Sequence, residues 1–513
     1  MMSLGKYIRR NIYRWHRTTS LLVALPLLLW TVSGFLHPIM GSFKPEVKNS
    51  YLPAAQIDSS KITVLLQDAL LQNGIENLQN FRIVKLYKGF YYQVLQKGVD
   101  SLTYINCETG NVLGDGDKHY ANYLAQRYLW EEADNQKTED HDHGSMTASL
   151  SGGASFHTKE AVASKPKSKI TSTTFVTSFT KDYKASNKLL PVYEVAFDRE
   201  DGIRLYIETK ADRLAYASDQ KKRWFTSFFA FAHTWSFLND LGKFKSFMLG
   251  TFAALCLLSS VFGFAVYNVL NTKKKVTNKS KRWHRTLGNV FMLTTFLYAF
   301  SGAWHALAKL PANTNLGSVE KEEIASRDIN LNLKTVFYFL APDEKPTNLS
   351  VVKMNEKIYW QLFYKKGKEA GKKYINSQTN TLLPVGDAQY STYLASRFIG
   401  KKQDMIVSTK VVTAFNHSYS MMNKRLPVLE NKLANGEAVY IETSTGDVAA
   451  VTEPSDNAER FSFSNLHMHH YWEMWLGKEI GQTVKNTVLI STTAGLLLLA
   501  LTGIMIYLRK RYV

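Results

Sequence analysis

The 513-residue sequence predicts a membrane α-helical bundle of four transmembrane helices that carries α+β domains on its outer side. Three observations support this fold class: four apolar runs of membrane-crossing length, basic clusters beside those runs, and an internal repeat that covers most of the chain. A repeat of this length indicates an internal duplication. We therefore expect the two halves, residues 1–270 and 271–513, to be related by pseudo-twofold symmetry about the membrane normal.

The apolar runs contain 17 to 24 residues, close to the roughly 20 residues that cross about 30 Å of hydrocarbon. No A-x-A-like cleavage site follows the first run, so we interpret it as a transmembrane helix and not as a signal peptide. Pro26 predicts a kink in this helix. The four runs cover residues 20–36, 247–270, 287–307 and 487–508.

The net charge of +20 is concentrated beside the apolar runs. Residues 1–19 contain five Lys or Arg, residues 271–286 seven and residues 508–513 three, and these stretches contain no acidic residue. Such patches flank transmembrane helices on the cytoplasmic side, so both termini and the 271–286 loop are predicted to be cytoplasmic. Because most of the excess charge lies in these patches, the sequence argues against a nucleic-acid partner.

These assignments divide the chain into consecutive segments. They are the cytoplasmic N-terminus with transmembrane helix 1 (1–40), an outer region (41–222) with a polar insert (130–171), an interfacial helix with transmembrane helix 2 (223–270), the basic cytoplasmic loop (271–286), transmembrane helix 3 (284–309), a second outer region (310–459), and an interfacial helix with transmembrane helix 4 and the cytoplasmic C-terminus (460–513). The insert is rich in Ser, Lys, Asp and Gly, which is typical of a mobile loop.

The repeat is carried by several phrases in the same order. The first pair, RWHRT and SGFLH, occurs at 14–18 and 33–37 and returns as RWHRT and SGAWH at 282–286 and 301–305. Other matches are YINCETGNVLGDGDKHYANYLAQR (104–127) with YINSQTNTLLPVGDAQYSTYLASR (374–397), NKLLPVYE (187–194) with NKRLPVLE (423–430), and FAHTW (231–235) with HMHHYW (467–472). The last alignment pairs His233 with His470, and farther on Gly263 pairs with Gly503.

Each outer region is predicted to be α+β. Residues 57–74 have helical periodicity, and the stretches that follow alternate like antiparallel strands, with turns at Lys88-Gly89 and Thr109-Gly110. Residues 190–208 predict a further hairpin that turns at Asp201-Gly202. We therefore expect a helix packed on a small sheet, with two such units in each half.

A helix followed by strands and the closing phrase YINCETGNVL (104–113) resembles the PepSY domain. The flanking RWHRT…SG helix and the HTW…G…Y helix resemble the PepSY-associated transmembrane family. The resemblance occurs once in each half and covers nearly the whole chain except 130–171. It implies a multi-pass protein of the bacterial inner membrane with periplasmic PepSY-like domains. Members of this family include iron-regulated proteins and siderophore reductases that bind b-type haem.

Four histidines bracket the first and third apolar runs. His16 and His37 are 21 residues apart, as are His284 and His305. At about 1.5 Å per residue each interval is roughly 31 Å, the thickness of the hydrocarbon core. One histidine at such a boundary is typical of an interfacial anchor. Four at matched spacing favour axial ligation of haem, which helix bundles hold with side chains on facing helices.

On the cytoplasmic side only His16 and His284 are available, so we expect them to ligate one haem together. The outer side has more candidates, namely His37, His305, His233 and His470, with His467 and His469 nearby. Two arrangements are open there: one haem between His37 and His305, or two symmetric haems that each use one of these residues together with His233 or His470. Two imidazole ligands leave no free iron position, which suits electron transfer. The expected cofactor content is two haem b groups.

Two further sets of residues are candidates for cofactor or metal contacts. The first is a set of guanidinium groups that set topology and also match haem propionates bidentately, namely Arg14, Arg17, Arg282 and Arg285. The second is His141 and His143, within an Asp-His-Asp-His run of the insert, which are candidate transition-metal ligands. Such runs are also common in mobile loops.

Together these features predict an inner-membrane b-type haem protein that passes electrons to a periplasmic acceptor. By resemblance the acceptor is a ferric siderophore, whose reduction releases Fe(II), and the protein is a ferric-siderophore reductase. No phosphate loop or dinucleotide fingerprint occurs, so the expected donor is a quinol of the lipid bilayer or a cytoplasmic reductase. The alternative is a haem-free PepSY scaffold or sensor that binds or inhibits a periplasmic protein.

Overall fold

The computed structural model describes residues 4–41, 43–130, 168–269, 278–308, 319–400, 405–416 and 418–511. The α-helices are α1 (Leu4–Leu22), α2 (Ala24–Met40), α3 (Leu66–Gln72), α4 (Gly116–Leu129), α5 (Gln220–Ala232), α6 (Lys243–Val269), α7 (Lys279–Ala308), α8 (Leu333–Phe337), α9 (Gly386–Ile399), α10 (Pro454–Ser462), α11 (Tyr471–Leu476) and α12 (Lys478–Arg511).

The strands form five antiparallel sheets in the described part of the chain. The strands of the first half are β1 (Asn77–Leu78), β2 (Asn80–Leu86), β3 (Gly89–Leu95), β4 (Thr103–Asn106), β5 (Ile170–Val176), β6 (Val192–Phe197), β7 (Arg204–Glu208) and β8 (Arg213–Ser218). Those of the second half are β9 (Ile324–Ala325), β10 (Lys345–Met354), β11 (Lys357–Lys366), β12 (Glu369–Asn376), β13 (Leu382–Leu383), β14 (Ile406–Val412), β15 (Val428–Leu433), β16 (Ala438–Glu442) and β17 (Asp447–Thr452).

Three helices, α6, α7 and α12, are each long and apolar enough to cross a membrane, and α1 with α2 supplies a fourth span when the bent pair is counted together. These are the four segments that the apolar runs predict. The helices pack as a bundle in which α6 contacts α1 and α7, and α12 contacts α2 and α7. Two contacts therefore join the halves: α2 with α12, and α6 with α7.

The first span is bent by 59° between α1 and α2. The break falls at Val23, and α1 ends at Leu22. Pro26 explains this position, because proline has no N–H to donate to the carbonyl four residues earlier and its ring clashes with that carbonyl of Leu22. The kink predicted from Pro26 is confirmed. The corresponding helix α7 has no proline and runs unbroken.

Each half carries two sheets joined by a helix. In the first half, α4 packs between the β2–β4 sheet and the β5–β8 sheet through buried side chains such as Tyr120, Leu124 and Tyr128. In the second half, α9 packs between β10–β13 and β14–β17 through Tyr390, Leu394 and Ala395. The expected two helix-and-sheet units per half are present, and the predicted turn at Asp201-Gly202 connects β6 to β7.

One predicted helix is shorter than its periodicity indicates. Residues 57–74 contain only a 3-10 turn at Ser59–Lys61 and the helix α3. The N–H groups of Thr63 and Val64 donate instead to the carbonyl of Cys107, at 3.1 and 3.0 Å. This tertiary hydrogen bonding replaces the helical bonds of the segment, so the helix begins only at Leu66.

The outer regions of the two halves share one apolar core. It combines residues of α3, β2 and β3 with residues of α8, β10 and β11, and the Phe81 ring meets the Trp360 ring edge to face at 6.3 Å. Strand β1 of the first half also pairs with β9 of the second half. The two outer regions are therefore packed as one body.

Reciprocal polar contacts join the second sheets of the two halves. Lys188 Nζ donates to Asn423 Oδ1 at 2.6 Å, and Lys424 Nζ donates to Asn187 Oδ1 at the same distance. Both pairs come from the NKLLPV and NKRLPV phrases. Each phrase thus binds the other across the interface.

Beside these contacts lies a cluster of four charges that are nearly shielded from solvent. Arg213 binds Glu208 at 2.5 Å and also binds Glu442. Arg425 binds Glu442 at 2.8 Å and Glu208 at 3.3 Å. Burial by itself would raise the pKa of Glu442, but the attraction of Arg213 and Arg425 outweighs it and lowers the pKa to about 2. The cluster therefore stabilises the interface only while Glu442 is ionised.

We predict that Glu442→Gln destabilises the outer region by roughly 3–5 kcal/mol. It leaves the buried guanidinium groups of Arg213 and Arg425 with Glu208 and with only a longer contact, 3.6 Å, from Arg425 to Asp447. In the wild type, this contribution is present above the unfolded-state pKa of about 4.3 and is lost as the pH falls toward 2. Denaturant unfolding in detergent, followed by tryptophan fluorescence between pH 2.5 and 7, measures both effects.

The matched control is Glu320→Gln, which removes a carboxylate of the exposed Lys97–Glu320 pair. Exposed pairs contribute little, so this variant should unfold like the wild type at neutral pH. The role given to the cluster would be contradicted if Glu442→Gln had the stability of the wild type and lost stability in acid in the same way.

Candidate functional site

Two histidines face each other at the end of the bundle that lies away from the sheet domains. His16 on α1 and His284 on α7 have ring centroids 6.4 Å apart, with the rings tilted by 45°. We call them the inner pair. The two RWHRT phrases, which are far apart in the chain, thus meet at one point of the bundle.

Each imidazole of the inner pair is held through its Nδ1 atom. Nδ1 of His16 lies 3.0 Å from the carbonyl oxygen of Ser259 on α6, and Nδ1 of His284 lies 3.2 Å from that of Leu499 on α12. A carbonyl oxygen can only accept, so Nδ1 donates in both rings, and in the neutral form of each ring Nε2 then has the lone pair. A hydrogen bond from the remote nitrogen to a carbonyl is how proteins orient metal-binding imidazoles.

Glycines make room for both rings. A Cβ atom on Gly263 would lie 3.0 Å from Cε1 of His16, and a Cβ atom on Gly503 would lie 3.1 Å from Cε1 of His284. These distances are shorter than ordinary contacts, so each imidazole lies almost against the backbone of the neighbouring helix. The sequence alignment pairs these two glycines, and each contacts the histidine of its own half.

The inner pair fits a metal that is bound by two imidazoles. A metal–imidazole bond is about 2.0 Å long, and the ring centre lies roughly 1 Å beyond the nitrogen. Two imidazoles on opposite sides of one metal therefore have centroids about 6 Å apart. The measured 6.4 Å is close to this value, and the Nε2 atoms are the donors that remain. The residues present therefore fit a haem with two axial histidines.

A second facing pair lies at the opposite end, where the helices meet the sheet domains. His233 follows α5, His467 ends a π-helical turn after α10, and their ring centroids are 6.2 Å apart. Nδ1 of His233 lies 2.9 Å from Ser33 Oγ, and Nδ1 of His467 lies 3.1 Å from Ser301 Oγ. We call His233 and His467 the outer pair. Its serines belong to the repeated SG phrases.

The histidines of the SG phrases flank the outer pair. The ring of Phe229 lies 5.4 Å from His37 and 4.6 Å from His233. The ring of Phe463 lies 4.3 Å from His305 and 5.0 Å from His467. His305 Nδ1 also binds the carboxylate of Glu459. A phenylalanine thus separates each flanking histidine from the outer-pair histidine of its own half.

Burial keeps the outer pair neutral. It lowers the pKa of His233 to about 3, and the nearby His467 adds to the shift. Burial, reinforced by His305, lowers the pKa of His467 to about 4. Both rings are therefore uncharged at pH 7, and neutral imidazole is the form that ligates metals.

His470 does not lie where the sequence alignment places it. Its Nδ1 is 2.9 Å from Glu473 Oε2, and Glu473 also binds the buried ammonium of Lys485 on α12. The partner of Ser301 is His467, so the alignment of His233 with His470 is wrong. The sequence alignment matched Trp235 with Trp472, an offset of 237 residues, whereas the hydrogen bonds to Ser33 and Ser301 relate His233 to His467 at an offset of 234.

His467 is therefore the candidate ligand that the sequence alignment did not pair with any residue. The signal that identifies it is a shared spacing: Phe229 and His233 are four residues apart, as are Phe463 and His467. The same offset of 234 residues aligns Trp235 with His469, and both have a left-handed φ, of 49° and 56°.

The two halves differ beside the outer pair. In the first half the Trp30 and Trp235 rings stack at 5.7 Å. In the second half the hydroxyl of Tyr298 instead lies 2.7 Å from His469 Nε2 and 2.8 Å from Thr492 Oγ1. An apolar aromatic contact in one half thus corresponds to a hydrogen-bonded network in the other.

The arginines of the RWHRT phrases lie around the inner pair at the end of the bundle. Arg14, Arg17 and Arg282 are exposed, and the guanidinium of Arg285 lies 5.2 Å above the ring of Tyr267. Their pairing with propionates stays a prediction. His141 and His143 lie outside the described residues, as does most of the 130–171 insert.

No group of three or more His, Cys, Asp or Glu side chains that could hold a metal ion occurs among the described residues. A haem with two axial histidines needs only two protein ligands, so this finding concerns sites of other kinds. Cys107 and Cys256 are both buried and free.

These elements define a multi-pass membrane protein with sheet domains attached at one end of its helices and with two facing pairs of histidines in its bundle. The sequence profile of the PepSY-associated TM region matches residues 13–510. The chain belongs to this family. Comparison with curated proteins gave no match.

Proposed function

We propose that the protein is an inner-membrane b-type haem protein that passes electrons across the membrane to a periplasmic acceptor. The observation that carries the proposal is the inner pair: two imidazoles with ring centroids 6.4 Å apart, each with Nδ1 at a carbonyl oxygen, which leaves Nε2 of the neutral ring as the metal-binding atom. A haem held by His16 and His284 would supply reversible one-electron exchange. The outer pair, with rings 6.2 Å apart, is the second proposed haem site.

The chain's own residues hold the four imidazoles ready for ligation. Carbonyl oxygens orient the inner pair, and hydroxyl groups of Ser33 and Ser301 orient the outer pair. Facing helices fix the spacing, so little reorganisation is needed when a metal binds. The apolar surroundings disfavour extra charge, which tunes the reduction potential of any bound haem.

We propose a direction for the electrons on the basis of the basic patches. With residues 1–19 and 271–286 in the cytoplasm, the inner pair faces the cytoplasm and the outer pair faces the periplasm. The donor is a membrane quinol or a cytoplasmic reductase. The acceptor is a ferric siderophore, by resemblance to the family, and its reduction weakens the chelate and releases Fe(II).

We also propose that the chain arose by internal duplication. Support comes from contacts that repeat in the two halves: a glycine behind each inner histidine, a serine on each outer histidine, and the reciprocal Lys–Asn bonds between the NKLLPV and NKRLPV phrases. A site built between two similar halves explains why each pair takes one histidine from each half.

The first prediction from this proposed function tests haem binding. Full-length protein that is expressed with ample haem and purified in detergent should show b-type bands in its reduced-minus-oxidised spectrum, with about two haems per chain. Absence of these bands would favour the haem-free scaffold or sensor. The exposed surface residue His119 supplies a matched control, because His119→Ala should leave the spectrum unchanged.

The second prediction separates the ligands from the other histidines. His16→Ala and His284→Ala should each remove the same one of the two haems, because either change leaves one axial ligand. His233→Ala and His467→Ala should each remove the other haem. His470→Ala should retain both, since its Nδ1 partner is Glu473. Loss of a haem in His470→Ala, with both haems kept in His467→Ala, would restore the sequence-based pairing.

The third prediction concerns the glycine behind the inner pair. Gly263→Ala puts a methyl group 3.0 Å from His16 Cε1, so the ring must move, and haem affinity at this site should fall by about tenfold. Gly288→Ala is the matched control, because its Cβ meets only Leu499 at 3.8 Å although it lies one turn from His284. Haem titration of the apoprotein measures both variants, and equal affinities would contradict the proposed packing.

A further inference from the structure

A cluster of lysines surrounds Tyr216 where the first-half sheet, the second half and helix α5 meet. Nζ of Lys222 lies 4.4 Å from the centre of the Tyr216 ring, and Nζ of Lys424 lies 5.7 Å from it. Lys184 donates to the carbonyl of Thr226 at 3.1 Å, and Thr226 is a hydrogen-bond partner of Tyr216. We call Lys184, Lys222 and Lys424 the Tyr216 lysine cluster.

The three ammonium groups are held by neutral acceptors. Lys222 donates to the carbonyl of Ala217 at 2.9 Å, and Lys424 donates to Asn187 Oδ1 at 2.6 Å and to the carbonyl of Ala215. Each ammonium has three N–H donors, so the bonds to described residues leave donors on every one of them. The cluster therefore keeps hydrogen-bonding capacity for an anion.

The carboxylates near the cluster have other partners: Asp182 binds Arg204, Glu208 binds Arg213, and Asp219 accepts from the backbone N–H of Lys222. None of its lysines forms an ion pair within the described residues; Asp182, Asp219 and Glu208 are the nearby carboxylates. Burial lowers the pKa of Lys222 to about 8. Burial and the neighbouring Lys222 lower the pKa of Lys424 to about 7. An anion between these groups would relieve both their desolvation and their mutual repulsion.

Helix α5 shows where the cluster lies relative to the bilayer. Lys222 and Thr226 are one turn apart and share the face toward the sheet domain. Trp224, Phe228 and Phe231 follow the same spacing on another face, where Trp224 is 60% exposed and Phe231 is 50% exposed. Exposed aromatic residues beside membrane helices mark the headgroup level. One helix diameter of about 10 Å therefore separates the cluster from the lipid-facing side.

We propose that the Tyr216 lysine cluster binds the phosphate of an anionic phospholipid from the leaflet beneath the sheet domains. The ligand must be anionic, because the site offers three lysine ammonium groups with spare N–H donors, and an anion favours the charged form of each. It must reach headgroup depth, because α5 carries the cluster on one face and the lipid-facing aromatic residues on the other. A phospholipid meets both conditions, and the phosphate bridges α5 to the second-half residue Lys424.

The described residues of the second half differ from the first half at the positions equivalent to Tyr216 and Lys222. In the first half, Tyr216 of β8 is paired with Tyr206 of β7. In the second half, Tyr440 of β16 takes the place of Tyr206, and its partner on β17 is Ala450. Lys222 is the third residue of α5, and the third residue of α10 is Asp456. One lipid site per chain is therefore expected. This proposal is independent of haem, because none of its residues belongs to the histidine pairs.

The lipid proposal is tested with delipidated full-length protein in neutral detergent. Native mass spectrometry should show one dioleoylphosphatidylglycerol bound about tenfold or more tightly than dioleoylphosphatidylcholine, which has the same acyl chains but no net charge. The substitutions K184Q/K222Q/K424Q should remove this preference. The control K88Q/K357Q/K365Q removes three charges from exposed positions and should keep it.

Three outcomes would overturn the proposal: equal binding of the two lipids by the wild type, full preference in K184Q/K222Q/K424Q, or loss of preference in the control. Excess inorganic phosphate distinguishes the two sources of a phosphate group. If phosphate alone displaces the lipid at comparable concentration, the site takes a soluble anion and the lipid assignment is wrong. The variant K184R/K222R/K424R keeps the charges and should retain the preference, which separates charge loss from misfolding.

Discussion

The arrangement of the bundle depends on one constraint: an imidazole packed between helices must find its hydrogen-bond partner within the protein, because a buried polar group without a partner is costly. His16 and His284 meet this demand with backbone carbonyls on α6 and α12. Those contacts tie α1 to α6 and α7 to α12, and glycines let the helices approach closely enough. The two rings are then left facing each other, with a donor atom free on each. Helix packing and the candidate site are thus set by the same hydrogen bonds.

The sheet domains extend this coupling beyond the helices. The shared apolar core, the β1–β9 pairing and the four-charge cluster around Arg213 and Arg425 join the two outer regions into one body. That body is connected to α2, α6, α7 and α12 at the same end, so it holds the two halves in one orientation above the outer pair. A buried ion cluster is costly to assemble, but the loss of a single partner costs more. The interface therefore resists separation of the halves.

Much of the inner pair could be predicted from sequence, whereas the outer pair could not. His16 and His284 lie in two identical five-residue phrases, so the repeat pairs them with each other. The basic residues around both phrases indicate that the two histidines lie at the same end of the bundle. The outer histidines lie beside irregular segments: a 3-10 turn follows His233, and a π turn ends at His467. The match of Trp235 with Trp472 drew the alignment to His470, three residues after His467. Backbone φ and side-chain contacts identify His467, and neither can be read from residue types.

The sequence by itself determined the four membrane segments, the basic patches beside them, the kink at Pro26 and the family, because each depends on local composition or on spacing along the chain. Only the tertiary structure decided which imidazoles face each other, that Phe229 and Phe463 separate the flanking histidines from the outer pair, and that Lys184, Lys222 and Lys424 converge on Tyr216. These contacts join residues up to 268 positions apart. Their distances depend on how helices and sheets pack, which local pattern does not encode.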